Sequence, residues 1–275
     1  MAHSGAYEKI NAVFLLLALC LCAFLSSAAH AEDGCKKLTA TGNPEYPPFL
    51  WRDPADDTRL IGANADLMDA LAKEIGITVE VRYVGPWGRV QEEAKAGRVD
   101  LISGAFYTVP RLDYMDYFYP AFHQTRTVIW TKKGSSLSLQ YRKWQDLVGK
   151  NGVTVINNSF GEEFDKFAKT SLKMSTVASL EQALAMLERS RVDYLIYEEA
   201  PGLAYTARMN VSDLKSATVA ITNENLFLTM SHKSPCNTPE MRARIAKALY
   251  KIYKSGIMDK LVDANIQLWR KQQLK

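Results

Sequence analysis

The residues best suited to gripping a small charged molecule fall in a few short segments. Arg111 closes the run Ser103-Gly104-Ala105-Phe106-Tyr107-Thr108-Val109-Pro110-Arg111. Its planar guanidinium can hold a carboxylate through two parallel hydrogen bonds. An exposed ion pair with Asp113 or Asp116 is the plainer use of the same side chain. In that run Ser103 offers a hydroxyl, and Gly104 permits close backbone approach. Glu198, in Tyr197-Glu198-Glu199, can accept hydrogen bonds from an ammonium or a hydroxyl, or sit solvated at a helix start. Asn158, Ser159 and Phe160 lie in Asn157-Asn158-Ser159-Phe160-Gly161-Glu162. There Asn158 or Ser159 can cap a helix whose free N–H groups favour an anion. Tyr46 and Trp87 each follow a turn signal and can either sandwich the apolar part of a ligand or serve as core.

Alternating strands and helices must position these groups. Lys37 to Thr41 reads as a short strand leading into a proline-rich loop, Gly42 to Pro54. A helix is expected from about Asn64 to Glu74, with Leu67, Leu71 and Ile75 on one face. Strands are expected at Thr78 to Val84, Val99 to Ile102, Val153 to Ile156 and Val192 to Ile196. Helices are expected from Trp87 to Ala96, from Phe160 to Lys169, and after Ser179, whose spacing to Gln182 is that of a capping box. Long helices follow Pro239. This rhythm predicts an α/β fold with largely parallel sheets.

One internal echo bears on function. Arg98-Val99-Asp100-Leu101-Ile102 and Arg191-Val192-Asp193-Tyr194-Leu195-Ile196 each join a helix end to an apolar strand. The match predicts two similar lobes. Ligands of open α/β sheets bind beyond the carboxyl ends of strands, so a cleft between the lobes is expected at Ser103-Gly104 and Tyr197-Glu198.

Composition removes several function classes. The chain has 275 residues, 47% apolar and 23% charged, enough for one large domain or two ordinary ones. Its +4 formal charge is spread without a basic block, which argues against nucleic-acid binding. No segment matches a phosphate-binding glycine loop. Lys9, the fourteen apolar residues Ala12 to Leu25 and the terminal Ala29-His30-Ala31 form the pattern of a cleaved signal peptide over residues 1–31. The apolar run is too short to span a bilayer as a helix. After cleavage only Cys35 and Cys236 remain. In an exported protein they are a candidate disulfide, worth up to ~5 kcal/mol in the chain-entropy model, with free thiols as the alternative. His123 and His232 show no metal-ligand spacing, so no metal or cofactor is expected.

Taken in order, these segments resemble those of the bacterial extracellular solute-binding proteins of family 3, periplasmic receptors of polar amino-acid ABC transporters. The likeness covers nearly all of the chain after the leader. It includes Asn43-Pro44-Glu45-Tyr46-Pro47-Pro48-Phe49 and Gly62-Ala63-Asn64-Ala65-Asp66-Leu67, besides the runs ending at Arg111, Glu162 and Glu198. The resemblance implies a two-lobe periplasmic binding-protein fold of type II. Lobe 1 would span 32–124 and 226–275, and lobe 2 would span 125–225. Two crossovers are implied near Phe122 to Arg126 and Asn223 to Phe227, with both cysteines in one lobe. It further implies Arg111 as holder of a ligand α-carboxylate and Glu198 as partner of its α-amino group. Asn43 stands where many members carry Asp, Phe106 and Phe160 replace small hydroxyl residues, and Asn158 replaces a glycine. These departures predict a ligand with a carboxylate and a modest apolar or aromatic portion rather than a lysine- or arginine-like one.

The expected protein is thus a monomeric, periplasmic, non-enzymatic receptor that presents a small carboxylate-bearing solute, such as an amino acid, to an inner-membrane ABC permease. Two alternatives stay open. One is a lyase of the cyclohexadienyl dehydratase type using Glu198 or Glu45 as a tuned acid, and the other is a receptor serving a sensor. No nucleophile–base–orienter set is visible, which favours binding.

Overall fold

The computed structural model describes residues 35–273, so the expected signal peptide lies outside the described residues. None of the helices described is long and apolar enough to cross a membrane. The chain begins with β1 (Lys37–Thr41), the small antiparallel sheet β2 (Glu45–Tyr46), β3 (Leu50–Arg52) and β4 (Leu60–Ile61), then α1 (Ala63–Ile75). There follow β5 (Thr78–Val81), α2 (Trp87–Lys95), β6 (Leu101–Phe106), the single turn α3 (Val109–Leu112), β7 (Met115–Tyr117) and β8 (His123–Lys132). The next stretch holds α4 (Ser136–Gln140), β9 (Asn151–Val155), α5 (Glu162–Ser171), β10 (Lys173–Val177), α6 (Leu180–Glu188), β11 (Tyr194–Glu198) and α7 (Glu199–Arg208). The long β12 (Leu214–Ser231), α8 (Pro239–Ser255) and α9 (Ile257–Gln273) complete it.

The main sheet runs in the order β10-β9-β11-β8-β12-β6-β1-β5, with β7 on β12. Both ends are the same unit. β1, β5 and β6 are parallel with the first strand in the middle, and β9, β10 and β11 repeat that order. Each unit is flanked by an antiparallel neighbour, β12 beside β6 and β8 beside β11. Between them β8 and β12 form a ribbon in which His123–Arg126 pair with Asn223–Leu226 residue for residue. The segments expected to cross between lobes lie on this ribbon. The architecture is a two-lobe α/β fold.

Local signals explain the elements around the site. α1 enters from Gly62 at φ 129°, where a Cβ would meet the carbonyl oxygen of Phe49 at 2.5 Å, and leaves through Gly76 in the left-handed region. Its Leu67, Met68 and Leu71 are fully buried against the sheet. The apolar stripe of α6 is likewise buried, and Ser179 caps it by accepting a hydrogen bond from the Gln182 N–H (3.2 Å). The Gln182 side chain accepts from Ala178 rather than from Ser179, so the capping box is not closed reciprocally. The disulfide Cys35–Cys236 forms, with Cα atoms 5.4 Å apart, and ties the start of β1 to the approach to α8.

Two strands begin later than expected, at Leu101 and Tyr194 rather than Val99 and Val192. The cause is common to both: Arg98-Val99-Asp100 and Arg191-Val192-Asp193 are turns whose aspartates hold the neighbouring strand. Consequently Ser103-Gly104 and Tyr197-Glu198 belong to the strands themselves and do not lie past their ends.

Candidate functional site

A cavity of about 30 Å³ lies where the carboxyl ends of β6 and β11 meet the loop after β9. From the first half it is lined by Tyr46, Trp87, Ser103, Gly104, Phe106 and Arg111. From the second it is lined by Asn158, Ser159 and Glu198. Nine of the ten expected ligand-binding residues therefore converge. Phe160 does not join them. It packs against Phe164 (ring centroids 6.3 Å apart) inside the second half and lines a separate cavity behind α5.

Arg111 sits in α3, a four-residue turn that β6 feeds directly. Its side chain is buried, its Nη1 donates to the Phe106 carbonyl (3.0 Å), and its guanidinium lies 5.3 Å from the Trp87 ring. Among the described residues it has no carboxylate partner, and Asp116 lies beside His232 instead. A buried guanidinium keeping several donors free on a cavity wall is a ready anion site.

Glu198 ends β11 and occupies the N-cap position of α7. It is 4% exposed. Burial raises its carboxyl to about 7, against the opposing pull of its own backbone N–H, the Arg111 charge and the Tyr46 hydroxyl. The Tyr46 hydroxyl stands near Glu198 but makes no hydrogen bond that satisfies either group. Four atoms on these walls are buried without any partner: Tyr46 Oη, Asn64 Oδ1, Asn158 Nδ2 and Glu198 Oε2. Each unsatisfied group costs about 1–3 kcal/mol, which a ligand bearing the complementary groups would recover.

The rest of the site is held by its backbone. Ser103 Oγ donates to the Thr41 carbonyl (3.2 Å), and the Asn64 side-chain amide donates to the Ser103 carbonyl. Gly104 has φ 136°, and a Cβ there would stand 2.8 Å from Asn64 Nδ2, so no other residue fits. Asn158 and Ser159 do not cap α5, contrary to expectation. The cap position is Gly161 with no side-chain bond, while Asp165 inside the helix reaches back to accept from Ser159 Oγ and from the Phe160 N–H (2.9 Å). That reversal turns Phe160 inward.

The two halves also touch directly. Trp87 Nε1 and Gln91 Nε2 both donate to the Asn157 carbonyl (3.2 Å each), a residue held at φ 61°. Asn43 Nδ2 donates to Tyr197 Oη (3.2 Å), so Tyr197 braces the halves and does not line the cavity. The Leu180 N–H at the start of α6 donates to Glu45 Oε2 (2.9 Å). Sequence reasoning missed Asn64 and Leu226 as wall residues. A polar side chain at the start of an apolar helix was the available signal for Asn64. Leu226 offered none.

A family model, bacterial extracellular solute-binding proteins, family 3, matches residues 38–267. The chain belongs to this family. Among curated relatives of this family member is the L-cystine-binding protein TcyA of Bacillus subtilis (strain 168). It is 24% identical over 244 residues, covering 86% of each chain. A probable histidine-binding protein of Neisseria gonorrhoeae is 25% identical over 243 residues, covering 86% of this chain and 85% of the relative. Solved structures with the same fold include an ancestral arginine-binding protein bound to arginine, with a TM-score of 0.69 and 23% identity. That match covers 84% of this chain and 98% of the other. A histidine kinase sensor domain with similarity to periplasmic binding proteins matches with a TM-score of 0.72 and 21% identity, covering 86% and 97%.

Proposed function

We propose that this protein is a periplasmic amino-acid receptor that closes around a zwitterion and delivers it, as a monomer, to an inner-membrane ABC permease. Residues 1–31 are its cleaved leader, 32–124 with 226–275 form one jaw, and 125–225 form the other. The observation that carries the reading is a buried guanidinium and a buried, unpartnered carboxylate facing one cavity from opposite halves. Arg111, with the Asn158 amide, receives the ligand carboxylate. Glu198, with Asn64 Oδ1, receives the ammonium. Differential contact with the closed state drives closure, because neither half alone offers both charges. The names of the curated relatives, which are binding proteins for amino acids, support the same reading.

The lyase alternative has one observation in its favour, the raised carboxyl of Glu198. Against it stands the lining, in which, among the described residues, Glu198 is the one carboxyl and no histidine stands with it to share acid–base work. The test is a thermal-shift screen of amino acids and small carboxylates followed by calorimetry, since a ligand of the native state raises its melting point. Saturable binding of at least one amino acid is expected, with no product formed from prephenate or arogenate. Turnover of either compound, or no response to any amino acid, would overturn the reading.

A further inference from the structure

We propose that Thr127 is a positioning residue of the ligand site: its hydroxyl donates through one shared water to the Glu198 carboxylate and holds it as the anion that an incoming ammonium meets. The proposal rests on the receptor reading above and deepens it. Glu198 and Thr127 stand directly opposite each other on β11 and β8. Thr222 of β12 stands opposite Thr127 in turn. Residues paired in this way put their side chains on one face of a sheet. Thr125, two positions along β8, shares that face.

Each of these side chains ends in a buried atom without a hydrogen-bond partner among the described residues: Glu198 Oε2 and the Oγ1 atoms of Thr125, Thr127 and Thr222. Tyr46 Oη, beside Thr125 and Glu198, is in the same condition. All but one of the orphans are hydroxyls with a proton to give. The exception is a carboxylate oxygen, which when ionised only accepts and has lone pairs for both a water and an ammonium. A buried water is held by about two to four polar partners, and this row supplies them.

Thr127 is the member best placed to act. It is 0% exposed, and valine would fill the same strand position without stranding a hydroxyl. Strand pairing ties it to Glu198 within one half, so it keeps its place whether the halves stand open or shut. Tyr46 belongs to the other half. Hydrogen bonds to a carboxylate favour its charged form and so oppose the burial that raises Glu198 to about 7. Arg111 of α3 and the Tyr46 hydroxyl of β2 act on Glu198 in the same direction. Beside Thr127 on β8, Arg126 is paired with Glu199 of α7. Glu45 of β2 accepts from the Leu180 N–H, and Glu224 of β12 and Asp165 of α5 repel one another. Removing the Thr127 hydroxyl therefore removes a donor and changes no charge.

The test titrates the glutamate carboxyl carbons of the mature, unliganded protein by carbon-13 NMR, with the Glu198 signal identified by its loss in Glu198→Gln. Thr127→Val should raise the Glu198 midpoint by about one pH unit, whereas Thr127→Ser should leave it within about 0.3 of the wild type. Thr127→Ala replaces Thr127→Val if the valine variant does not fold. A second readout is thermal shift with an equimolar mixture of the common amino acids. Stabilisation by the mixture should be smaller in Thr127→Val than in the wild type at about pH 7 and should match it at about pH 9, where Glu198 is ionised in both. An unmoved midpoint in the valine or alanine variant overturns the proposal. A midpoint raised as far in Thr127→Ser also overturns it, because the effect would then be one of packing. No response of the wild type to the mixture overturns the receptor reading, while the carbon-13 titration still decides whether Thr127 acts on Glu198.

Discussion

β6 and β11 are entered in the same way. Before each, a helix ends, an arginine N–H closes the turn, and an aspartate hydrogen-bonds the neighbouring strand twice. Asp100 donates its N–H to the Thr39 carbonyl (2.9 Å) and accepts from the Thr39 N–H (2.7 Å). Asp193 does the same with Asn151, at 2.8 and 2.7 Å. The strands differ most in how they leave. β6 runs into a short loop and the turn that carries Arg111, whereas β11 passes straight into α7 and leaves Glu198 at the helix cap. The repeated framework sets the position of two strand ends, and the exits set the sign of the charge placed there. Two copies of one unit thereby present a cation and an anion to a single cavity.

Breaking the cationic side has the largest expected effect. Arg111→Ala should weaken amino-acid binding by at least 100-fold in calorimetry, since truncating one buried charged partner costs about 2–5 kcal/mol. Its far-ultraviolet circular dichroism should stay that of the wild type. The halves also differ in covalent support, because Cys35–Cys236 staples the first and no disulfide is described in the second. The double variant Cys35→Ser/Cys236→Ser should lose about 2–4 kcal/mol in urea unfolding. A loss below about 1 kcal/mol would mean the crosslink constrains little.

The paired aspartates sharpen the comparison further. Asp100 is half-buried and also accepts from Ser234, so Asp100→Ala should cost about 1.5–3 kcal/mol. Next comes the anionic side. Glu198 must be ionised to receive an ammonium, and its carboxyl sits at about 7. Affinity should therefore rise about tenfold from pH 6 to pH 8 and flatten in Glu198→Gln. Stability of the unliganded protein moves the opposite way. A carboxyl raised from 4.5 in the unfolded chain favours folding most below that value, and the benefit is lost as pH rises through 7. The difference in urea midpoint between wild type and Glu198→Gln, followed from pH 4 to pH 8, isolates this contribution. The smallest effect is that of Asp193→Ala, about 0.5–1.5 kcal/mol, because its side chain is exposed and unassisted. Equal losses in the two aspartate variants would show that the second copy is as tightly built as the first.

Much of the site could be read before any fold was known. Ser103 and Gly104 lie in one apolar strand that leads to Arg111, Glu198 ends another, and the Arg-Val-Asp repeat marks the two strands as counterparts. Strand phase was harder to read, because an apolar Val in a turn looks like an apolar Val in a strand. Capping failed for a related reason. Asn158, Ser159 and Asp165 are all competent to bond the loop, and only the course of the chain through Gly161 selects Asp165. Phe160 illustrates the cost: its identity said aromatic wall, but the turn sends it into the core of the second half.

Periodicity, turn chemistry and charge are local properties, so the chain alone determined the alternation of elements, the duplication of a strand-entry turn and the placing of a cation, Arg111, and an anion, Glu198, near two strand ends. Which groups face each other was decided by the β8–β12 ribbon, which brings Arg111 and Glu198 to one cavity although 86 positions separate them. The width of that cavity, the missing partners of four wall atoms and the raised carboxyl of Glu198 all depend on surfaces contributed by distant segments. Burial is a property of the closed assembly of both halves, and no neighbour-to-neighbour pattern encodes it.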